Sequence, residues 1–159
     1  MKPIRLVKAD SDIEGVAGSV AWFDVVDLGP FENNRNDVLA LNDCGQYAGV
    51  SLNRQTGRIE AFQQEKGMRK MLGTLGGSFS VARDLNNRGE VVGGSLTEGD
   101  ETFHAFIYRD NRLRDLNDCL EPEARWEVLQ ALSINDYGEI IAIGCQDGED
   151  RIVLLRPKQ

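Results

Sequence analysis

An all-β fold of three internal repeats is what this 159-residue sequence predicts. Three observations predict it. The first is a spacing: Leu28 of "DLG", Leu72 of "MLG" and Leu116 of "DLN" are separated by 72 − 28 = 44 and 116 − 72 = 44 positions. The second is a pentapeptide, "LNDCG" at 41–45, which returns as "LNNRG" at 85–89 and "INDYG" at 134–138. Its Asn42, Asn86 and Asn135 are separated by 86 − 42 = 44 and 135 − 86 = 49. The third is a period-two alternation of apolar and polar residues, with helical periodicity nearly absent. Phe62, Phe106 and Leu155 repeat the intervals 44 and 49, which confines an insertion of 49 − 44 = 5 residues to 117–134. Repeats of this period signal a stacked or radial architecture.

The elements follow in order. One domain spans 1–159, in units of about 27–71, 72–115 and 116–159. In the second unit "FSVARDL" (79–85), "EVVGGSL" (90–96), "FHAFIYR" (103–109) and "RLRDL" (112–116) read as four short antiparallel strands separated by "NNRG", "TEGDE" and "DN". Asn at the head of each pentapeptide can accept bonds from the backbone two residues on. The Gly beyond it supplies the left-handed residue that lets two antiparallel strands pair with a bulge. Asn42, Gly45, Asn86, Gly89, Asn135 and Gly138 are therefore assigned to turns rather than to metal binding or catalysis, since the acidic position of the motif is Asn87 in the middle copy. "NDC" at 42–44 and 117–119 is an accidental match, because Asn117 belongs to the Leu116 landmark. Only "EPEARWEVLQAL" (121–132) tempts a helical reading.

The chain ends carry a topological expectation. The third unit stops at "DRIVLLRPKQ", short of its last strand, while "SVAWFDVVDLG" (19–29) has the character of that missing element. Residues 19–28 are expected to complete the last unit and close a propeller-like ring, covering edges that would otherwise template aggregation. A β-trefoil, also built from three units, is the alternative. Two chains completing a larger ring, a homodimer, is a third arrangement.

Composition narrows the function classes. With 41% hydrophobic and 28% charged residues and no run long enough to span a bilayer, the chain is expected to be a soluble protein. The opening "MKPIRLVKADSDIEGVAGSV" lacks the apolar stretch and small-residue cleavage site of a secretory signal, so a cytoplasmic location is expected. Cys44, Cys119 and Cys145 show none of the close pairing of a zinc site or redox motif, and reduced thiols with no metal or cofactor are expected. A net charge of −8 disfavours direct nucleic-acid binding and favours a basic partner.

The stretch "LGTLGGSFSVARDLNNRGEVVGGS", followed by "HAFIY" ending at Tyr108, resembles the bacterial HAF repeat, named for the tripeptide present as His104, Ala105 and Phe106. Residues 72–116 match well, 27–71 moderately, and 117–159 mainly through "SINDYGEIIAIG". The resemblance implies β-propeller-like repeats, often in extracellular proteins, and no known catalytic residues.

Enzyme signals are weak. His104 is the single histidine. The register puts Glu60 and Val153 at its equivalent positions, with no positioned nucleophile, so a structural histidine is expected. "GTLGGS" (73–78) leads into a strand and lacks the lysine and helix N-terminus of a phosphate loop. Carboxylates are too abundant for any pair to signal a glycosidase. Cys44 has no repeating cationic helper. The chain is therefore read as a non-enzyme.

Charge patterning is more informative. In an up-and-down unit the turns between second and third strands emerge on the same side as the connections between units. This places Glu32, Glu98, Asp100, Glu101, Glu121, Glu123, Glu127, Asp147, Glu149 and Asp150 on one side. The other side receives the basic turns "EKGMRK" (65–70) and "RDNRLR" (109–114). Such segregation steers a cationic partner. Trp126 lies among acids in the inserted connection, with Phe31 and Phe79 on the neighbouring ones, and the three are candidate interface anchors. The function expected is a protein-binding module. Its concrete form is an acidic immunity-type inhibitor that covers the active site of a basic partner such as a toxin nuclease. A carbohydrate- or surface-recognition domain, with the same aromatics stacked on sugars, is the alternative.

Overall fold

The computed structural model describes residues 23–30 and 36–158, and in them eleven strands and no α-helix. The first unit holds β1 (Asn36–Leu41), β2 (Tyr47–Leu52), β3 (Ile59–Glu65) and β4 (Met68–Gly73). A second unit holds β5 (Gly76–Leu85), β6 (Val91–Thr97), β7 (Phe103–Arg109) and β8 (Arg112–Asp115). The third holds β9 (Glu127–Ile134), β10 (Ile140–Gln146) and β11 (Glu149–Leu155). Within each unit every strand pairs antiparallel with the next. A single parallel bridge, Ile59 to Phe79, joins the first two units into one eight-stranded sheet, and the third unit is a separate three-stranded sheet.

The pentapeptide turns form as their chemistry dictates. Asn42 Oδ1 accepts from the backbone N–H of Cys44 and Gln46 at 3.0 and 2.9 Å, and Gly45 sits at φ +73°. Asn86 repeats the pattern with Arg88 and Glu90, and Asn135 repeats it with Tyr137 and Glu139. Each Asn holds its turn closed at two points while its amide group is left to bond elsewhere.

That amide joins the units. Asn42 Nδ2 donates to the carbonyl of Asn86 at 2.9 Å, and Asn86 Nδ2 donates to the carbonyl of Asn135 at 3.1 Å. Alongside, the Asp43 N–H donates to Asn87 Oδ1, and the Asn87 N–H donates to Asp136 Oδ1. The turns thus stack in chain order, and apolar side chains fill the space beneath them. Ala48, Leu72, Leu85, Val91 and Phe106 pack where the first two units meet. Val92, Ile107, Leu116, Val128 and Ile134 pack where the second meets the third. Fully burying a side chain such as Phe106 contributes roughly 1.5–3 kcal/mol. The middle unit is sandwiched, which is why β6 is buried over most of its length.

Two expectations, the closing N-terminal strand and the closed ring or trefoil, are corrected, and the stretch that tempted a helical reading leads into β9. Residues 23–30 form no strand, and Phe23, Val25 and Val26 are exposed, so the part of 19–28 that is described does not complete the third unit; residues 19–22 lie outside the described residues. Neither a closed ring nor a trefoil barrel forms among the described residues, because each unit docks only on its sequence neighbours. The stretch 121–132 is not a helix: Asn117 Oδ1 accepts from the Val128 N–H at 2.6 Å and its Nδ2 donates to the Val128 carbonyl, pinning the start of β9. Among the described residues no helix is long and apolar enough to cross a membrane.

Candidate functional site

In the second and third units the turn between second and third strands lies at an edge of the unit, beside the connection that enters it; the connection entering the first unit includes residues outside those described. In the second unit Asp100, in the β6–β7 turn, accepts from the Ser78 N–H at 2.7 Å and from Ser78 Oγ at 2.6 Å, tying that turn to the 73–80 connection. These two bonds hold the Asp100 carboxyl below its ordinary range. In the third unit the start of β9 pairs Glu127 with Cys145, next to the 146–149 turn.

Along this edge Glu98, Glu101, Asp147 and Asp150 are exposed and have no ion-pair partner among the described residues; Glu123 is exposed and without one too, but it shares the turn of the inserted connection with Glu121, away from these tips. The other acids expected here are engaged. Glu149 pairs with Arg151 at 2.5 Å, Glu127 with His104, and Glu121 with Lys158 beyond the end of β11. Glu121 is thus drawn away from the acidic tips, since the inserted connection turns back through an Ala124 N–H to Glu121 carbonyl bond while Leu120 packs on the core. Phe31 and Glu32 lie outside the described residues. The negative character belongs to the second and third units; the β2–β3 turn of the first carries Arg54 and Arg58.

The aromatics expected as anchors are used for packing. Phe79 lies against Phe103 with ring centroids 6.2 Å apart, and both are half-buried. Trp126 lies over Gly144, where a Cβ would meet the indole at 3.1 Å. It lines a groove of about 680 Å³ with Leu120, Val153 and Leu155, beside the open edge of β11.

His104 is the most elaborately held titratable group on this edge. Its Nδ1 lies 2.6 Å from Asp115 Oδ2, and its Nε2 lies 3.1 Å from Glu127 Oε1. Partial burial disfavours the charged ring, but the bonds and charges of Asp115 and then Glu127 outweigh it and raise the pKa above 6.5. Asp115 is positioned on β8 by giving its other oxygen to the N–H and side chain of Asn117. The His104 ring therefore bridges the last strand of the second unit and the first strand of the third.

Both ring nitrogens of His104 face carboxylates, an arrangement that leaves neither free to activate a nucleophile. The Cys145 thiol is pushed up by burial and by Asp150, away from thiolate character. Cys44 is exposed and directs its thiol at the Asn87 carbonyl. Among the described residues no group of three His, Cys, Asp or Glu side chains is disposed to hold a metal ion.

Sequence reasoning named His104 and Glu127 separately and missed Asp115. The signal available was the Asp115–Asn117 spacing, which forms an Asx-type turn. Glu60, the counterpart of His104 in the first unit, is buried and bonds Asn53 and Thr56 of its own turn. The bridge is therefore particular to the second junction. No family model, curated protein or solved structure matches the chain, so the HAF-repeat likeness rests on the residues that carry it.

Proposed function

We propose that the chain is a non-enzymatic protein-binding module whose acidic edge engages a basic protein, in the manner of an immunity-type inhibitor covering the phosphate-binding cleft of a toxin nuclease. The observation that carries this reading is the group of four exposed carboxylates without ion-pair partners among the described residues, Glu98, Glu101, Asp147 and Asp150, at the turns of the second and third units. Carboxylates left unneutralised by the protein itself are available to a cationic partner, and steer its approach by about 10-fold to 1,000-fold at low salt. A cytoplasmic site of action suits the three free thiols. The alternative of glycan recognition is less well supported, because Phe79 and Trp126 already have apolar partners of their own.

The test starts with the basic protein retained from a host extract on the immobilised chain, purified and measured as a defined pair. Replacing Glu98, Glu101, Asp147 and Asp150 together by Lys should slow association at low salt and flatten its salt dependence, with the thermal transition of the free chain preserved. A pair whose association rate is indifferent to the four changes would contradict the proposal, as would glycan binding insensitive to salt.

A further inference from the structure

We infer that the two ends of the three-unit stack are a matched pair, and that a second copy of this chain docks head to tail on them, closing a six-unit ring. This inference is independent of the acidic edge.

Equivalent residues differ in exposure between the inner and outer faces of the stack. Leu85 and Ile134, at the ends of β5 and β9, face the preceding unit and are 4% and 6% exposed; Leu41, their counterpart on β1, is 71% exposed. On the other side of each unit, Ala48 and Val92 in β2 and β6 face the following unit and are both 0% exposed; their counterpart Ile141 in β10 is 45% exposed. In the stack β2 packs on β5 and β6 packs on β9. The same relation, continued once more, sets β10 on a β1.

The hydrogen-bond ladder has complementary open ends too. The carbonyls of Asn86 and Asn135 each accept a side-chain amide from the unit before, and the carbonyl of Asn42 accepts none among the described residues. Conversely, among the described residues Asn135 Nδ2 reaches only Glu139 of its own unit. A donor end and an acceptor end on opposite faces define a heterologous interface.

Continuing the register also supplies the missing strand. The step from Leu28 to Asn36 is 36 − 28 = 8 residues, the same as from Leu72 to Ser80, 80 − 72 = 8. A β1 docked on β10 of another copy therefore brings residues 23–29 alongside that copy's β11, as β4 lies alongside β3. Residues 27–29 share one local bond with the end of β8: Gly29 N–H donates to Asp27 Oδ1 at 2.8 Å, as Asn117 N–H does to Asp115 Oδ1 at 2.8 Å. The groove beside Trp126 and Val153 is where this segment would lie, burying Val25 and Leu28. A second copy is the occupant rather than the chain's own N-terminus, because rings of four-stranded units typically have four to eight members and two copies give six.

The test is solution mass by light scattering for the full chain and for Leu41→Glu and Ile141→Glu, each altered at one bare end. The unaltered chain should have twice the 17.6 kDa of one chain, independent of concentration in the micromolar range. Each variant alone should be a folded monomer. Mixing the two should restore the double mass, because one junction of the pair then has unaltered residues on both sides. Leu41→Ser and Ile141→Ser serve in the same way should either glutamate prevent folding. A monomeric unaltered chain, a mass other than two chains, a dimer unaffected by both variants, or a mixture that stays monomeric would each overturn the proposal.

Discussion

Asn86 gives its side-chain amide to the carbonyl of Asn135, 49 positions further on, as Asn42 does to Asn86 across 44. One residue type thus closes a turn with its oxygen and docks a unit with its nitrogen. Because Asn86 is buried and has a following unit, while Asn135 is exposed with none among the described residues, the three copies should not be equal energetically. Asn86→Ala is expected to destabilise by about 2–3 kcal/mol, since it leaves buried partners unsatisfied, and Asn135→Ala by about 1 kcal/mol. Urea unfolding measures both. Equal losses would show that the inter-unit bond contributes nothing.

His104 makes the second junction pH-dependent. Its folded pKa is raised, so the stabilisation is fully present below the unfolded value of 6.5 and is lost as pH rises through the folded value. The stability difference between the unaltered chain and His104→Gln should be about 1–2 kcal/mol at mildly acidic pH, as for a charge-assisted hydrogen bond, and should shrink in alkaline solution. Thermal melts across that range decide it. A difference that grows with pH would reverse the assignment.

Gly93 on β6 stands opposite Ala82 on β5. A Cβ there would sit 1.9 Å from the Val81 carbonyl oxygen, and at Gly49, its first-unit counterpart, 1.9 Å from the Asp37 oxygen. The third unit has Ala142 at this position, next to an irregularity in the β9–β10 register. Gly93→Ala should destabilise by about 1–3 kcal/mol through forced separation of the strands, while Ala142→Gly should cost about 1 kcal/mol or less. A neutral Gly93→Ala in denaturant unfolding would mean that the sheet opens freely there.

What was legible in the sequence is what local chemistry determines. Asn and Gly at fixed offsets specify the three turns, and alternation specifies the strands, so that "FHAFIYR" coincides with β7 residue for residue. Long-range pairing was not legible. His104 meets Asp115 and Glu127 eleven and twenty-three positions away, and Glu121 meets Lys158 thirty-seven away, through contacts that no periodicity announces. The insertion read as a platform for Trp126 instead folds its aromatic onto Gly144. The register read 19–28 as a fourth strand for the third unit, and residues 23–30 form no strand. It could not say whether a chain of three units has enough members to bring that segment round to β11.

The claim on which the account depends is that the units are coupled through their turns, and a double-mutant cycle on Asn87 and Asp136 tests it most directly. Asp136 accepts from the Asn87 N–H at 2.7 Å and from Asn87 Nδ2 at 2.8 Å, and these bonds hold its carboxyl below the ordinary range. Unfolding of Asn87→Ala, Asp136→Ala and the double variant should give a coupling of about 0.5–1 kcal/mol. Strict additivity would contradict the account, for it would mean that the turns sit side by side without holding one another.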